Sequence, residues 1–326
     1  MRRRDFIAAF YCSALGLPCS VAAQQPGKVW RIGHVIPTTP EWGEGGRQAL
    51  EQRLADLGYV SGRNIVLLHR FTGGPQLDKI NELIISLVPQ IDILAVWGIA
   101  IYAAKKSAAG VPTVFISAGY PVEEGLVQSL AHPGGNMTGI IAEAATETNG
   151  KRLQILKEIV PGLQRVAVLR AAYEPTVVWM TSLELAARQL GVTLVPVDFA
   201  SAGDLETAFA EMKKSEAEAL IVLGGAVVIA FGKQIADLAI RARLPSCYYI
   251  KDGVIAGGLV SYGPDRLAMA RPAAALIDKI IKGASPADIP CEQPTVYQLY
   301  INSKTARLLN LTLPPTLLAL ADEVIE

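Results

Sequence analysis

The chain has 326 residues, with 30 basic and 30 acidic side chains, 51% hydrophobic and 18% charged residues. That length holds two domains of ordinary size, and that composition excludes a disordered chain. Balanced charge without a long basic run excludes a nucleic-acid surface, and no stretch beyond the N-terminus is apolar enough to span a bilayer.

In chain order, Arg2, Arg3 and Arg4 come first, an apolar stretch runs over 6–21, and Val21-Ala22-Ala23 closes it before Gln24. A basic end, an apolar middle and small residues at a cleavage point predict an export signal over 1–23. Arg3-Arg4-Asp5-Phe6-Ile7 also resembles the twin-arginine pattern. The apolar run is shorter than the roughly 20 residues of a bilayer span, and Gly16 and Pro18 interrupt it. Cleavage and a soluble periplasmic protein are therefore expected rather than an anchor. Removing the signal takes away three arginines and one aspartate, which leaves 27 basic and 29 acidic residues. Cys247 and Cys291 remain. An oxidising compartment permits a bridge, but two separately buried thiols is the favoured reading.

After Lys28, short Val- and Ile-rich runs alternate with amphipathic stretches. Strands are predicted at 32–36, 64–68, 91–96 and 113–116, and helices at 44–57, 77–88 and 102–109. The run 91–96 is apolar throughout, as a strand covered on both faces must be. His132-Pro133-Gly134-Gly135-Asn136 forms a turn cluster, and 137–142 is the candidate crossing to a second half. There the alternation restarts, with helices at 151–160, 177–190, 204–212 and 227–241 and strands at 166–169, 193–199, 219–223, 246–249 and 259–262. Such alternation implies α/β lobes with parallel sheets, because parallel strands need helical crossovers.

Ligands of open parallel sheets bind beyond the carboxyl ends of the strands. The loops at those ends carry Trp42, Trp97, Tyr120, Tyr173, Tyr248 and Tyr249, although aromatics are only 6% of the chain. Flat rings with polar tips suit a planar organic ligand, and core packing is the competing reading for each ring alone. Gly98 and Gly225 let a ligand approach backbone amides at helix starts, where an anion is favoured. Thr38 adds a hydroxyl. Catalytic chemistry finds no support. His34, His69 and His132 have no Ser or Cys partner in a nucleophile motif, and no Cys/His/Asp cluster has metal spacing. Gly43-Glu44-Gly45-Gly46 lacks the dinucleotide spacing, and Glu44 would repel a pyrophosphate. No cofactor and no metal are expected.

The segments 58–65, 125–130, 133–139, 257–263 and 280–325, in this order, resemble the substrate-binding proteins of ABC transporters, in the branch associated with tryptophan and tyrosine uptake. That resemblance implies a type I periplasmic binding fold: two Rossmann-like lobes joined by a three-strand hinge. The crossings should then lie near 138–141, 262–264 and 288–293. Lobe 1 would comprise 28–140 plus 263–290, and lobe 2 would comprise 141–262 plus 291–326. It also implies a monomer that closes on its ligand, does no chemistry, and hands the ligand to an ABC permease in the inner membrane. Family members often carry Gly-Asp-Pro-Val where this chain has Gly119-Tyr120-Pro121-Val122, and a hydroxyl where it has Trp97-Gly98-Ile99-Ala100. Loss of that aspartate favours a small aromatic or hydrophobic carboxylate over a free amino acid. Free aromatic amino-acid binding, and a sensory partner of a membrane receptor, stay open. The expected contacts are Thr38, Trp97, Gly98, Tyr120, Tyr173, Gly225 and Tyr248.

Overall fold

A computed structural model describes residues 28–143, 147–172 and 176–326. The expected export signal, Tyr173 and the side chain of Glu147 lie outside these residues. No helix among the described residues is long and apolar enough to cross a membrane.

The first sheet is built from β1 (Trp30–Ile36), β2 (Ile65–Phe71), β3 (Ile93–Trp97), β4 (Thr113–Ala118) and β5 (Met137–Ile141). They are all parallel, in the order β2-β1-β3-β4-β5. Every residue of β3 is buried, because helices cover both faces of the sheet. On one face Ile32, Leu50, Leu54 and Ile116 pack under α1 (Pro40–Asp56). On the other, Val35, Ile80, Ile84 and Phe115 pack under α2 (Leu77–Leu87) and α3 (Ala100–Ser107). Helix α1 begins four residues before the predicted start at 44. Thr39 at its N-cap is extended and Pro40 fills the first helical position, whose fixed φ and missing N–H suit a helix start.

The second sheet repeats the arrangement. It contains β6 (Arg165–Ala171), β7 (Thr193–Phe199), β8 (Ala219–Val222), β9 (Ser246–Tyr248) and β10 (Val260–Gly263). Read from β7, the order is β7-β6-β8-β9-β10, again parallel and with the same switch after its first strand. Helix α4 (Glu147–Ile159) leads into it, and α5 (Val177–Leu190), α6 (Leu205–Lys214) and α7 (Gly225–Arg241) supply its crossovers, with a short α8 (Lys251–Ile255) after β9. Helix α9 (Ala270–Ile281) returns to the first lobe and packs on α1, where Tyr59 donates to Asp278 at 2.7 Å. The tail adds β11 (Gln298–Asn302), antiparallel to β10, then α10 (Ser303–Leu308), α11 (Pro315–Leu320) and β12 (Glu323–Ile325), which pairs with β11.

Three connections therefore join the two sheets, after β5, after β10 and before β11. They are tied together. Ile141 N–H donates to the Glu292 carbonyl, and Glu292 N–H to the Gly139 carbonyl, both at 2.9 Å. Tyr262 and Tyr297 stack with centroids 5.8 Å apart, and the Tyr297 hydroxyl donates to the Ala142 carbonyl at 3.2 Å. Gly139 has no room for a side chain: a Cβ there would lie 2.1 Å from the Phe115 carbonyl oxygen of the paired strand. Gly139→Ala is expected to cost about 1–3 kcal/mol through this overlap, read as a lower midpoint in urea unfolding. Cys247 and Cys291 are free and buried, and burial pushes the Cys247 thiol up to about 12.

Candidate functional site

The two sheets present their strand ends to one cleft. In each sheet the order reverses after the first strand, at β1/β3 and at β6/β8, and loops diverge at such switch points to leave a crevice. Pro37 and Thr38 follow β1, Gly98 and Ile99 follow β3, Thr176 follows β6, and Gly224 and Gly225 follow β8; all line a cavity of about 860 Å³, mouth included. The two switch points thus face one another across it. Gly98 adopts φ +48°, a left-handed turn that glycine enters at little cost, and α3 starts two residues later. Helix α7 starts at Gly225 on the opposite wall. Amide groups at both helix starts are available to an anion.

Aromatic and apolar side chains form most of the wall: Ile36, Trp97, Tyr102, Trp179, Ile229 and Tyr249. Trp179, on α5, stands edge-on to Tyr249 with centroids 5.1 Å apart. Behind these rings lies Arg152 of α4, its guanidinium carbon 5.9 Å from the Trp179 ring and 5.4 Å from the Tyr249 ring. Ser117 reaches from the first lobe to the Tyr249 hydroxyl at 3.0 Å. Ser117 is itself left-handed, at φ +67°, where the β4–β5 register shifts, so the backbone holds this hydroxyl at some cost in strain.

Among the described residues, Arg266 is the one charged side chain on the cleft wall. It follows β10. Its Nη2 donates to Asp252 Oδ1 at 3.0 Å and to the Trp42 carbonyl at 3.4 Å, so it touches both lobes. Its Nε is buried without a hydrogen-bond partner. A carboxylate lies behind the wall rather than on it. Glu124 accepts from the Tyr102 hydroxyl at 2.8 Å, while its other oxygen is buried without a hydrogen-bond partner. Burial raises the Glu124 carboxyl above its usual range.

Thr38, Trp97, Gly98 and Gly225 of the expected contacts come together on this wall. Tyr120 does not line it. It is buried, packs edge-on against Trp179 at 5.7 Å, and its hydroxyl accepts from Asn149 at 3.3 Å, so it braces a wall residue from behind. Tyr248 is fully buried in the second lobe against Gly253 and Gly258, and its neighbour Tyr249 faces the cleft instead. The sequence reading placed Tyr249 on a candidate loop without choosing it, and it missed Trp179 and Arg266. Extending the strand-end rule to the loop after β10 would have reached Arg266. Among the described residues no group of His, Cys, Asp and Glu side chains could hold a metal ion.

Two parallel-sheet lobes, joined by three connections and meeting at their switch points over an aromatic cleft, define the fold of type I periplasmic binding proteins. The profile described as ABC transporter substrate binding protein matches residues 47–325, and the chain belongs to that family. A "Tyrosine-binding protein" of Clostridioides difficile (strain R20291) is 23% identical over 210 residues, 64% of this chain. The match spans only 60% of that relative's length. Among solved structures, an ABC domain in complex with L-Trp from Streptococcus pneumonia superposes with a TM-score of 0.84 at 20% identity, over 91% of this chain and 100% of that one. A solute binding protein of R. palustris in complex with benzoate gives 0.59 at 16% identity, over 86% and 84%.

Proposed function

We propose that this chain is the periplasmic solute-binding component of an ABC uptake transporter, and that it grips a small aromatic or hydrophobic carboxylate by closure of its lobes. The observation that carries the ligand class is the single charge on the described cleft wall, the cation Arg266 among aromatic rings. Trp97, Trp179 and Tyr249 flank the ring of the ligand, Thr38 adds a hydroxyl, and the carboxylate meets Arg266 with the amides at the starts of α3 and α7. Contacts made to both lobes exist only when the cleft is shut, so binding shifts the population toward the closed form. The protein is delivered by the N-terminal signal, on the twin-arginine route, acts as a monomer, and passes its ligand unaltered to a permease. Benzoate binding by the R. palustris neighbour agrees with this class.

A second reading, a free aromatic amino acid, draws on Glu124 and on the names of the relatives. A Cβ on Gly119 would stand 3.2 Å from the unpartnered Glu124 oxygen, so only a glycine separates that carboxylate from the cleft. An ammonium reaching it there would return the carboxyl to its ionised form.

Calorimetry with benzoate, phenylacetate and indole-3-acetate beside L-tryptophan and L-tyrosine separates the two. The deaminated acids are expected to bind and, at a hundredfold excess over Kd, to stabilise the fold by about 2.7 kcal/mol. Tight binding of tryptophan or tyrosine with none of the acids refutes the carboxylate reading. In that case Glu124→Gln is expected to abolish amino-acid binding.

A further inference from the structure

The cleft wall at Trp97 is connected to the protein surface by three hydrogen bonds in series. Trp97 Nε1 donates to His34 Nε2 at 2.7 Å. His34 Nδ1 lies 2.9 Å from His69 Nδ1, and His69 Nε2 lies 2.7 Å from Glu51 Oε1. The strand register builds this line. His34 pairs with His69 across β1 and β2 and with Ala95 across β1 and β3, and Trp97 follows Ala95 by two residues on the same face. Helix α1 crosses that face and brings Glu51, which Arg47 and Glu44 hold in an ion-pair cluster. His34 is fully buried, whereas the Glu51 side chain is 33% exposed.

The two ends fix the direction of every bond. An indole N–H can only donate and a carboxylate can only accept. His34 must therefore accept at Nε2 and carry its hydrogen on Nδ1, which donates to His69. His69 then carries its hydrogen on Nε2 and donates to Glu51. Three links hold three hydrogens. A fourth hydrogen, on either ring, sets two donors face to face in one link and breaks it.

We propose that His34, through His69 and Glu51, is the positioning residue that sets the Trp97 indole in the cleft, and that acid breaks this relay and weakens ligand binding. Burial first, then His69 and Arg47, holds His34 well below the ordinary histidine range. Burial also lowers His69, against the pull of Glu51. The relay is thus intact at neutral pH and fails below the usual histidine range, when either ring takes up the extra hydrogen. The charges that reach it are Glu51, Arg47 and Glu44, all on α1. Asp278 of α9, which packs on α1, is bonded instead to Tyr59 and Lys282. The proposal rests on the solute-binding reading and on Trp97 lining the cleft, but not on which ligand binds.

Nitrogen-15 NMR of the ligand-free protein tests the relay directly. His34 is expected as the Nδ1–H tautomer and His69 as the Nε2–H tautomer at neutral pH. The Trp97 indole resonance, assigned by its loss in Trp97→Phe, is expected to move on acidification together with His34. An Nε2–H tautomer at His34, or an indole signal that stays put while His34 protonates, overturns the proposal. Calorimetry with benzoate adds a second arm. His34→Gln keeps a side-chain acceptor but cannot titrate. Wild-type affinity is expected to fall in acid by on the order of tenfold beyond the loss from the probe's own protonation, and His34→Gln to remove that extra loss. Identical acid profiles in both proteins overturn it. If benzoate does not bind, the ligand class falls, while the tautomers and the indole shift still decide the relay.

Discussion

Replacing Arg152 by methionine is expected to destabilise the fold by about 3–5 kcal/mol at neutral pH, because it leaves a buried carboxylate without its cation. Arg152 is 1% exposed and its Nη2 donates to Glu143 Oε1 at 2.6 Å, with the Glu143 side chain 0% exposed. The same guanidinium donates through Nε to the Tyr262 carbonyl and through Nη1 to Asn149, both at 2.7 Å. It therefore fastens the connection after β5 to the end of β10, two of the three links between the lobes. The defect depends on pH. Burial raises the Glu143 carboxyl against the pull of Arg152, and without Arg152 only the smaller effect of the Thr148 hydrogen bond still opposes it. A folded value above the unfolded one, about 4.3 for glutamate, means the folded variant binds more protons between the two values. The variant then loses stability as pH rises through that window. The deficit is smallest below about pH 4 and largest near neutrality. Urea unfolding at both ends of this range measures it, and equal deficits would mean that Glu143 is not ionised beside Arg152.

The architecture was legible because fully buried parallel strands and their crossover helices leave two different periodicities in the sequence. Runs such as 219–223 and stripes such as 77–88 need no partner to be recognised. The tail was not legible in the same way. Glu323–Ile325 is a strand of three residues, two of them exposed, and so short a run carries no periodicity. β11 reverses direction at the sheet edge, and α8 spans five residues only.

In the site, the strand-end rule reached Thr38, Trp97, Gly98 and Gly225 because it depends on topology alone. It did not separate Tyr248 from Tyr249. Tyr248 ends β9 and Tyr249 is the first residue beyond it, so the chain turns one ring into the core and the next toward the cleft. Two identical side chains give no sign of which is which. Tyr120 lies just beyond the shifted β4–β5 register, which no pattern in 113–122 announces. Trp179 sits in the first turn of α5, where a tryptophan reads as core. Its ring is 7% exposed, and it is both core and wall.

Arg266→Gln is expected to weaken benzoate binding by about a hundredfold, the largest effect on affinity of any single change in the cleft. A hydrogen bond to a charged group contributes about 1.5–3 kcal/mol, which is roughly 10- to 150-fold in Kd. The upper part of that range applies because the Arg266 Nε is buried and unpartnered, so the ligand displaces no existing protein bond there. Removing the guanidinium also leaves Asp252, only 13% exposed, as an unbalanced negative charge near the carboxylate of the ligand. Arg266→Lys keeps the charge but not the planar fork that can hold Asp252, the Trp42 carbonyl and a ligand oxygen together, and should fall between the two. Benzamide, neutral and of the same shape, separates charge from packing: whatever affinity it has should not change in Arg266→Gln. If benzoate binds Arg266→Gln as tightly as wild type, the amides at the starts of α3 and α7 must hold the anion alone, and Arg266 serves only to join Trp42 to Asp252 across the mouth of the cleft.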